Sequence, residues 1–93
     1  MNEIKKVFKI IEERKEKPKE GSYTSFLLGK GQEKILEKIE EESKEVIKAA
    51  EKEGDKRLIE EIDDLFYHVF VLMAYRGLKL SDLEREERKR MGK

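Results

Sequence analysis

The feature that most constrains the fold is the helical periodicity of apolar residues on both sides of Gly54. Before it, Ile35, Ile39 and Val46 recur at the spacing of one helical face. After it, five apolar residues keep the same spacing: Leu58, Ile62, Leu65, Val69 and Leu72. Such spacing is typical of amphipathic helices with one buried face. We therefore expect helices over about 32–53 and 55–76, packed antiparallel because the connection between them is so short.

Shorter helices are predicted before and after this pair. Residues 2–16 carry apolar residues at helical spacing, and Pro18 stands in the break that follows them. Ser22 is placed to cap the start of a short helix, and Ser81 and Glu84 have the spacing of a capping box for a last one. The sequence contains no strand-like alternation. It thus predicts an all-α fold, an antiparallel helical bundle of four to five helices.

Composition limits the classes of protein to which the chain can belong. Its 93 residues are enough for a single domain, residues 1–93, and too few for two. The 22 basic and 22 acidic residues balance, which argues against a nucleic-acid partner. The absence of cysteine fits a reducing cytoplasm, and no apolar run is long enough for a membrane span or a signal peptide. We expect a cytoplasmic protein without nucleic-acid or membrane partners.

The segment VFVLMA, residues 69–74, is apolar on every side of the predicted helix. Such a helix needs neighbours all around it, and a chain of this size buries too little surface to supply them. We therefore expect homodimerisation, or a larger homo-oligomer, to complete the bundle.

Acidic residues interrupt the apolar faces of the two long helices. Glu42 occupies the one position of the first buried line that is not apolar. Lys38 and Glu45 share the flank beside it, Glu41 lies just beyond, and Glu37 falls on the far, solvated side. Because burial of an unpaired carboxylate is costly, Glu42 requires a partner.

The second long helix repeats the arrangement. Glu61 and Asp64 follow one edge of its apolar face, while Tyr67 points more nearly away from it. Antiparallel packing would bring these two acids opposite Glu42 and Glu45. The sequence therefore predicts that four carboxylates meet between the two helices.

Carboxylates grouped in this way at neutral pH either share protons or surround a cation. Oxygen donors without thiolate favour Mg²⁺, with Mn²⁺ as the alternative. The di-iron sites of helical bundles use two Glu-x-x-His pairs, whereas His68 is the only histidine and residue 65 is leucine. We expect a magnesium site and interpret His68 as a hydrogen-bonded structural residue.

Three motifs occur together in an order that resembles a known family. They are SYTSFLLGKG at 22–31, KIEEESKEV at 38–46 and EEIDDLFYHVFVLM at 60–73. Over about residues 4–90 the chain resembles the phosphoribosyl-ATP pyrophosphatases, which catalyse the second step of histidine biosynthesis. Their wider superfamily, the all-α nucleotide pyrophosphatases, has Glu-x-x-Glu followed on the next helix by Glu-x-x-Asp. Here that pattern falls on Glu42, Glu45, Glu61 and Asp64.

The resemblance implies hydrolysis of the α–β phosphoanhydride of a small nucleotide substrate, phosphoribosyl-ATP, to phosphoribosyl-AMP and pyrophosphate. It implies that the four acids of the pattern hold Mg²⁺ against the substrate phosphates. Either Glu41 or Glu45 would take the proton of the attacking water, and Lys38 would contact a phosphate or orient a carboxylate. Further candidates for substrate contact are Lys30, Ser22, Tyr23 and Thr24.

Two other functions stay open at this point. A housekeeping nucleoside triphosphate pyrophosphatase of the same superfamily would use the same metal site and differ around the base and the second ribose. A non-catalytic helical dimerisation module would carry its acids and lysines as surface pairs. That module gives no reason for a carboxylate at Glu42.

Overall fold

Five helices make up most of residues 2–92, the part of the chain that the computed structural model describes. They are α1 (Asn2–Glu16), α2 (Tyr23–Lys30), α3 (Gln32–Lys52), α4 (Asp55–Tyr75) and α5 (Leu80–Met91). The prediction of an all-α bundle is confirmed, and each long helix ends one residue before its predicted end. None of these five helices is long and apolar enough to cross a membrane.

The α3–α4 hairpin is the central unit of the fold and has the most extensive helix contact. Gly54 adopts a φ of +88° in the connection, a conformation that glycine reaches without strain. At the other end of the hairpin, Arg76 Nη1 donates to Gln32 Oε1 at 3.2 Å. Because this bond joins the end of α4 to the start of α3, it confirms the predicted antiparallel packing.

The core lies where α1 and α2 pack across one side of this hairpin. The rings of Phe8 and Phe70 meet edge to face, with centroids 5.6 Å apart. Ser22 caps α2 as predicted, since its Oγ accepts from the Ser25 N–H at 3.1 Å. The buried apolar core draws on four helices and contains Phe8, Ile11, Leu27, Ile35, Phe70, Val71 and Ala74.

The buried side of α4 differs from the predicted one. The five apolar residues predicted to form its buried line, 58 to 72, are only half-buried. Glu61, His68, Val71 and Ala74 are buried instead. The physical reason is that α1 and α2 cover this other side of the helix, which leaves much of the apolar stripe uncovered.

An open apolar face therefore remains on α4, consisting of Ile59, Ile62, Phe66 and Val69. These residues follow the alternating spacing of three and four that characterises a coiled-coil seam. Ile59 is 68% exposed and Phe66 is 49% exposed. Within one chain, nothing among the described residues fully covers this face.

The last helix begins differently from the prediction. The capping box expected at Ser81 and Glu84 is wrong, because α5 already starts at Leu80. Asp82 therefore occupies the third helical position, and its Oδ2 accepts from the Lys79 N–H at 2.8 Å. This hydrogen bond, followed by one from Arg85, lowers the pKa of Asp82.

We expect replacement of a core residue of α1 to destabilise the protein much more than replacement of its neighbour. Ile11 is 1% exposed, and Ile11→Ala should lower the free energy of unfolding by about 2–5 kcal/mol. Ile10, the matched control, is 48% exposed, and Ile10→Ala should cost less than about 1 kcal/mol. Urea unfolding followed by circular dichroism measures both. Equal losses would contradict the packing described here.

Candidate active site

Three carboxylates meet between α3 and α4. Glu42, Glu61 and Asp64 each offer one oxygen atom, and the three atoms lie within 4.8 Å of one another. Glu61 and Asp64 are neighbours because residues three apart share a helix face, and the antiparallel hairpin brings Glu42 opposite them. We call this group the carboxylate cluster. It contains three of the four acids that the sequence places together.

The cluster runs from the interior to the surface. Glu61 is 5% exposed, Glu42 is half-buried and Asp64 is exposed. Burial raises the pKa of Glu61, and its hydrogen bond with the Asp64 side chain raises it further. Acids crowded in this manner favour a bound cation, and a donor set of carboxylate oxygens suits a hard divalent ion. The residues present therefore fit Mg²⁺ or Mn²⁺.

Arg57 is a member of the site that the sequence analysis missed. Its Nη2 donates to Glu61 Oε2 at 2.9 Å, and its Nη1 pairs with Glu60. Arg57 Nε also lies 3.8 Å from Glu53 Oε1. Arg57 precedes Glu61 by four residues on α4, a spacing that indicates an ion pair on a helix, whereas Glu53 lies in the connection before α4. This signal was available in the sequence but is common in a chain so rich in charge.

A hydrogen-bonded chain connects α2 to the cluster. His68 Nδ1 lies 2.7 Å from the backbone oxygen of Asp64, which can only accept, so Nδ1 is the protonated nitrogen. His68 Nε2 then accepts from the Tyr23 hydroxyl at 3.0 Å. Burial raises the pKa of Tyr23, which keeps this hydroxyl protonated as a donor. The interpretation of His68 as a hydrogen-bonded residue agrees with these contacts.

Lys38 and Glu41 form an ion pair at the edge of the site, with Lys38 Nζ 3.0 Å from Glu41 Oε1. The hydrogen bond between them raises the pKa of Lys38 and lowers that of Glu41. Glu45 is half-buried one turn further along α3. It does not belong to the three-residue group found among the described residues. Its assignment as a metal ligand stays a prediction.

The other predicted substrate contacts have varied surroundings. Ser22 serves as the cap of α2, and Lys30 is exposed with its Nζ 5.7 Å from the centre of the Phe26 ring. Thr24 is buried and hydrogen-bonded to the Tyr67 hydroxyl. The expectation that Tyr67 points away is wrong, because α2 packs against α4 and gives this side chain a partner. Tyr23 is the candidate with a hydrogen-bonded connection to the carboxylate cluster among the described residues. Its hydroxyl bonds His68, and His68 bonds the backbone oxygen of Asp64.

The chain is similar to known proteins over nearly its whole length. The family model described as phosphoribosyl-ATP pyrophosphohydrolase matches residues 4–91. A Clostridium botulinum protein named phosphoribosyl-ATP pyrophosphatase is 55% identical over 89 residues, which cover 96% of this chain and 81% of that protein.

Relatives with lower sequence identity carry the same name. One from Lactiplantibacillus plantarum is 46% identical over 93 residues, which cover 100% of this chain and 88% of the relative. Another from Bacillus cytotoxicus is 44% identical over 90 residues, with coverages of 97% and 84%. The resemblance inferred from the three motifs is thus confirmed, as is the prediction of an enzyme that hydrolyses a phosphoanhydride. This chain belongs to the phosphoribosyl-ATP pyrophosphohydrolase family.

Proposed function

We propose that this chain hydrolyses phosphoribosyl-ATP to phosphoribosyl-AMP and pyrophosphate, with Mg²⁺ held at the carboxylate cluster. Such a reaction would be the second step of histidine biosynthesis. The convergence of Glu42, Glu61 and Asp64 within 4.8 Å is the observation that carries the proposal. The names of the relatives support the choice of substrate.

Mg²⁺ is needed in this proposal because the cluster and the substrate are both anionic. When bound, the ion would offset the charge of the phosphate oxygens and of the departing pyrophosphate. Glu61 would supply a ligand from the buried floor of the site, and Asp64 would supply one at its mouth. Arg57 holds one oxygen of Glu61 and so orients its carboxylate. Mn²⁺ has the same donor preference and is the alternative ion.

The ion pair of Lys38 favours one of the two candidate bases. Because Lys38 lowers the pKa of Glu41, that carboxylate is a poorer proton acceptor than an unpaired glutamate. Glu45 takes part in no ion pair among the described residues, and we therefore assign the proton of the attacking water to it. We propose that Lys38, whose pKa is raised by its hydrogen bond to Glu41, contacts a substrate phosphate near the cluster.

The substrate assignment is tested by pyrophosphate release from purified protein with Mg²⁺. We expect phosphoribosyl-ATP to be hydrolysed with a kcat/KM well above that of ATP, dUTP and dCTP. Preferred turnover of the simple triphosphates would instead support the housekeeping pyrophosphatase. No release from any of the four would contradict the proposed hydrolysis.

Removal of a proposed ligand charge should abolish metal binding without unfolding the chain. We expect Glu42→Gln and Asp64→Asn to lower turnover by at least about 100-fold, because loss of a metal ligand costs several kcal/mol of transition-state stabilisation. Mg²⁺ should raise the melting midpoint of the wild type but not that of either variant.

The matched control for these variants is Glu37→Gln, since Glu37 is exposed on the same helix and pairs only with Lys34 among the described residues. It should keep both its turnover and its response to Mg²⁺. If Glu37→Gln lost as much activity as Glu42→Gln, the carboxylate cluster would not be the metal site. If Glu42→Gln and Asp64→Asn failed to fold, these acids would be structural.

We also infer that a second copy of the chain covers the open apolar face of α4. Its coiled-coil spacing favours a helix partner, and a chain of this size gains stability from such burial. Ile59→Lys should convert the dimer to a monomer, as measured by light scattering after size exclusion. Met91→Lys is the control, because Met91 is also highly exposed but lies at the end of α5. A wild-type monomer would refute the homodimer.

A further inference from the structure

A cavity of about 520 Å³ opens beside the carboxylate cluster, between α1, α4 and the start of α2. Asp64 and His68 belong both to its wall and to the site described above. The remaining wall is largely apolar and aromatic and includes Val7, Tyr23, Phe66, Tyr67 and Phe70. Phe66 also belongs to the open apolar face of α4, so the cavity borders the surface that we infer a second copy to cover. We call this space the aromatic cavity. No role has been assigned to it so far.

The aromatic cavity has the size and lining of a nucleobase site. Ligand pockets commonly measure about 300–1,000 Å³ and are lined by apolar and aromatic side chains with few polar groups. Tyr23 and Tyr67 contribute rings that lie 6.3 Å apart with an interplanar angle of 21°. Because Asp64 borders both spaces, a nucleotide with its phosphates at the cluster could extend its base into the cavity.

The charge at the rim of the cavity is negative. Asp63 and Glu3 line it beside Asp64, and both are exposed. Neither Asp63 nor Glu3 takes part in an ion pair among the described residues. An anionic rim over aromatic rings is suited to a flat cation, which gains both ion pairing and cation–π attraction. It offers no such gain to a neutral adenine.

Phosphoribosyl-ATP, the substrate of the proposed function, carries a flat cationic group. Phosphoribosyl-ATP bears its second ribose on N1 of adenine, and an N1-substituted 6-aminopurine is an amidine that is protonated near neutral pH. The unsubstituted adenine of ATP is neutral under the same conditions. We propose that the aromatic cavity binds the N1-substituted adenine as a cation and that Asp63 recognises its charge. This assignment rests on the proposed function. It names Asp63 as the residue that would distinguish phosphoribosyl-ATP from ATP.

Charge removal at Asp63 tests the assignment by kinetics. Asp63→Asn should raise the KM for phosphoribosyl-ATP by about fivefold, the size of an exposed ion pair, and leave kcat unchanged. Asp63→Glu keeps the charge and should restore most of the affinity. Asp55→Asn is the matched control, because Asp55 is an exposed aspartate at the far end of the same helix. Equal KM values for Asp63→Asn and Asp55→Asn would overturn the assignment.

Binding measurements test the same point without turnover. In calorimetric titrations we expect the wild type to bind 1-methyladenosine 5′-monophosphate more tightly than AMP, and Asp63→Asn to lose this preference. Val7→Trp, which fills the aromatic cavity, should weaken binding of the methylated nucleotide, whereas Ile10→Trp on the exposed side of α1 should not. Equal binding of the two nucleotides by the wild type, or of neither, would overturn the assignment.

The two proposals fail in different ways. Wild-type protein that releases pyrophosphate from phosphoribosyl-ATP but shows no preference for the methylated nucleotide keeps the proposed function and loses the cavity assignment. Wild-type protein that releases no pyrophosphate from phosphoribosyl-ATP overturns the proposed function and the cavity assignment with it.

Discussion

The antiparallel contact of α3 with α4 is the interaction on which the rest of the structure depends. It buries Ile35 against α4 and places Glu42 across from Glu61 and Asp64, so that one packing arrangement builds both the core and the acidic site. A shift by one turn of either helix would move an acid out of the cluster and an apolar side chain out of the core. Stability and site geometry are therefore set by the same register.

The short helix α2 adds the polar contacts that connect this hairpin to the rest of the chain. Tyr23 reaches His68, and Thr24 reaches Tyr67, so two consecutive residues of α2 bond two consecutive residues of α4. His68 in turn donates to the backbone of Asp64. Thr24 and His68 are buried, and hydrogen-bonded polar groups in the interior favour one arrangement over its alternatives. Tyr23, Tyr67 and His68 also line the aromatic cavity.

Much of this arrangement follows from the sequence because helical periodicity is a local property. It predicts the two long helices, their antiparallel packing and the meeting of Glu42 with Glu61 and Asp64. It does not predict which side of α4 is buried, because that depends on where α1 and α2 pack, and the half-buried Leu65 and buried Val71 show the difference. The roles of Arg57 and Tyr67 were missed for a related reason, since their spacing or type alone does not distinguish them from other surface residues.

The Arg57–Glu61 ion pair bears on whether the chain can fold before it binds the proposed metal ion. In many small metalloproteins the binding of the ion supplies the free energy of folding, and the apo chain stays unfolded. Here the most buried acid of the cluster already has a guanidinium partner 2.9 Å away. We therefore expect the chain to fold without the proposed ion and to bind it afterwards, if the carboxylate cluster is the metal site. Such a protein could be made, stored and stripped by a chelator without passing through an unfolded state.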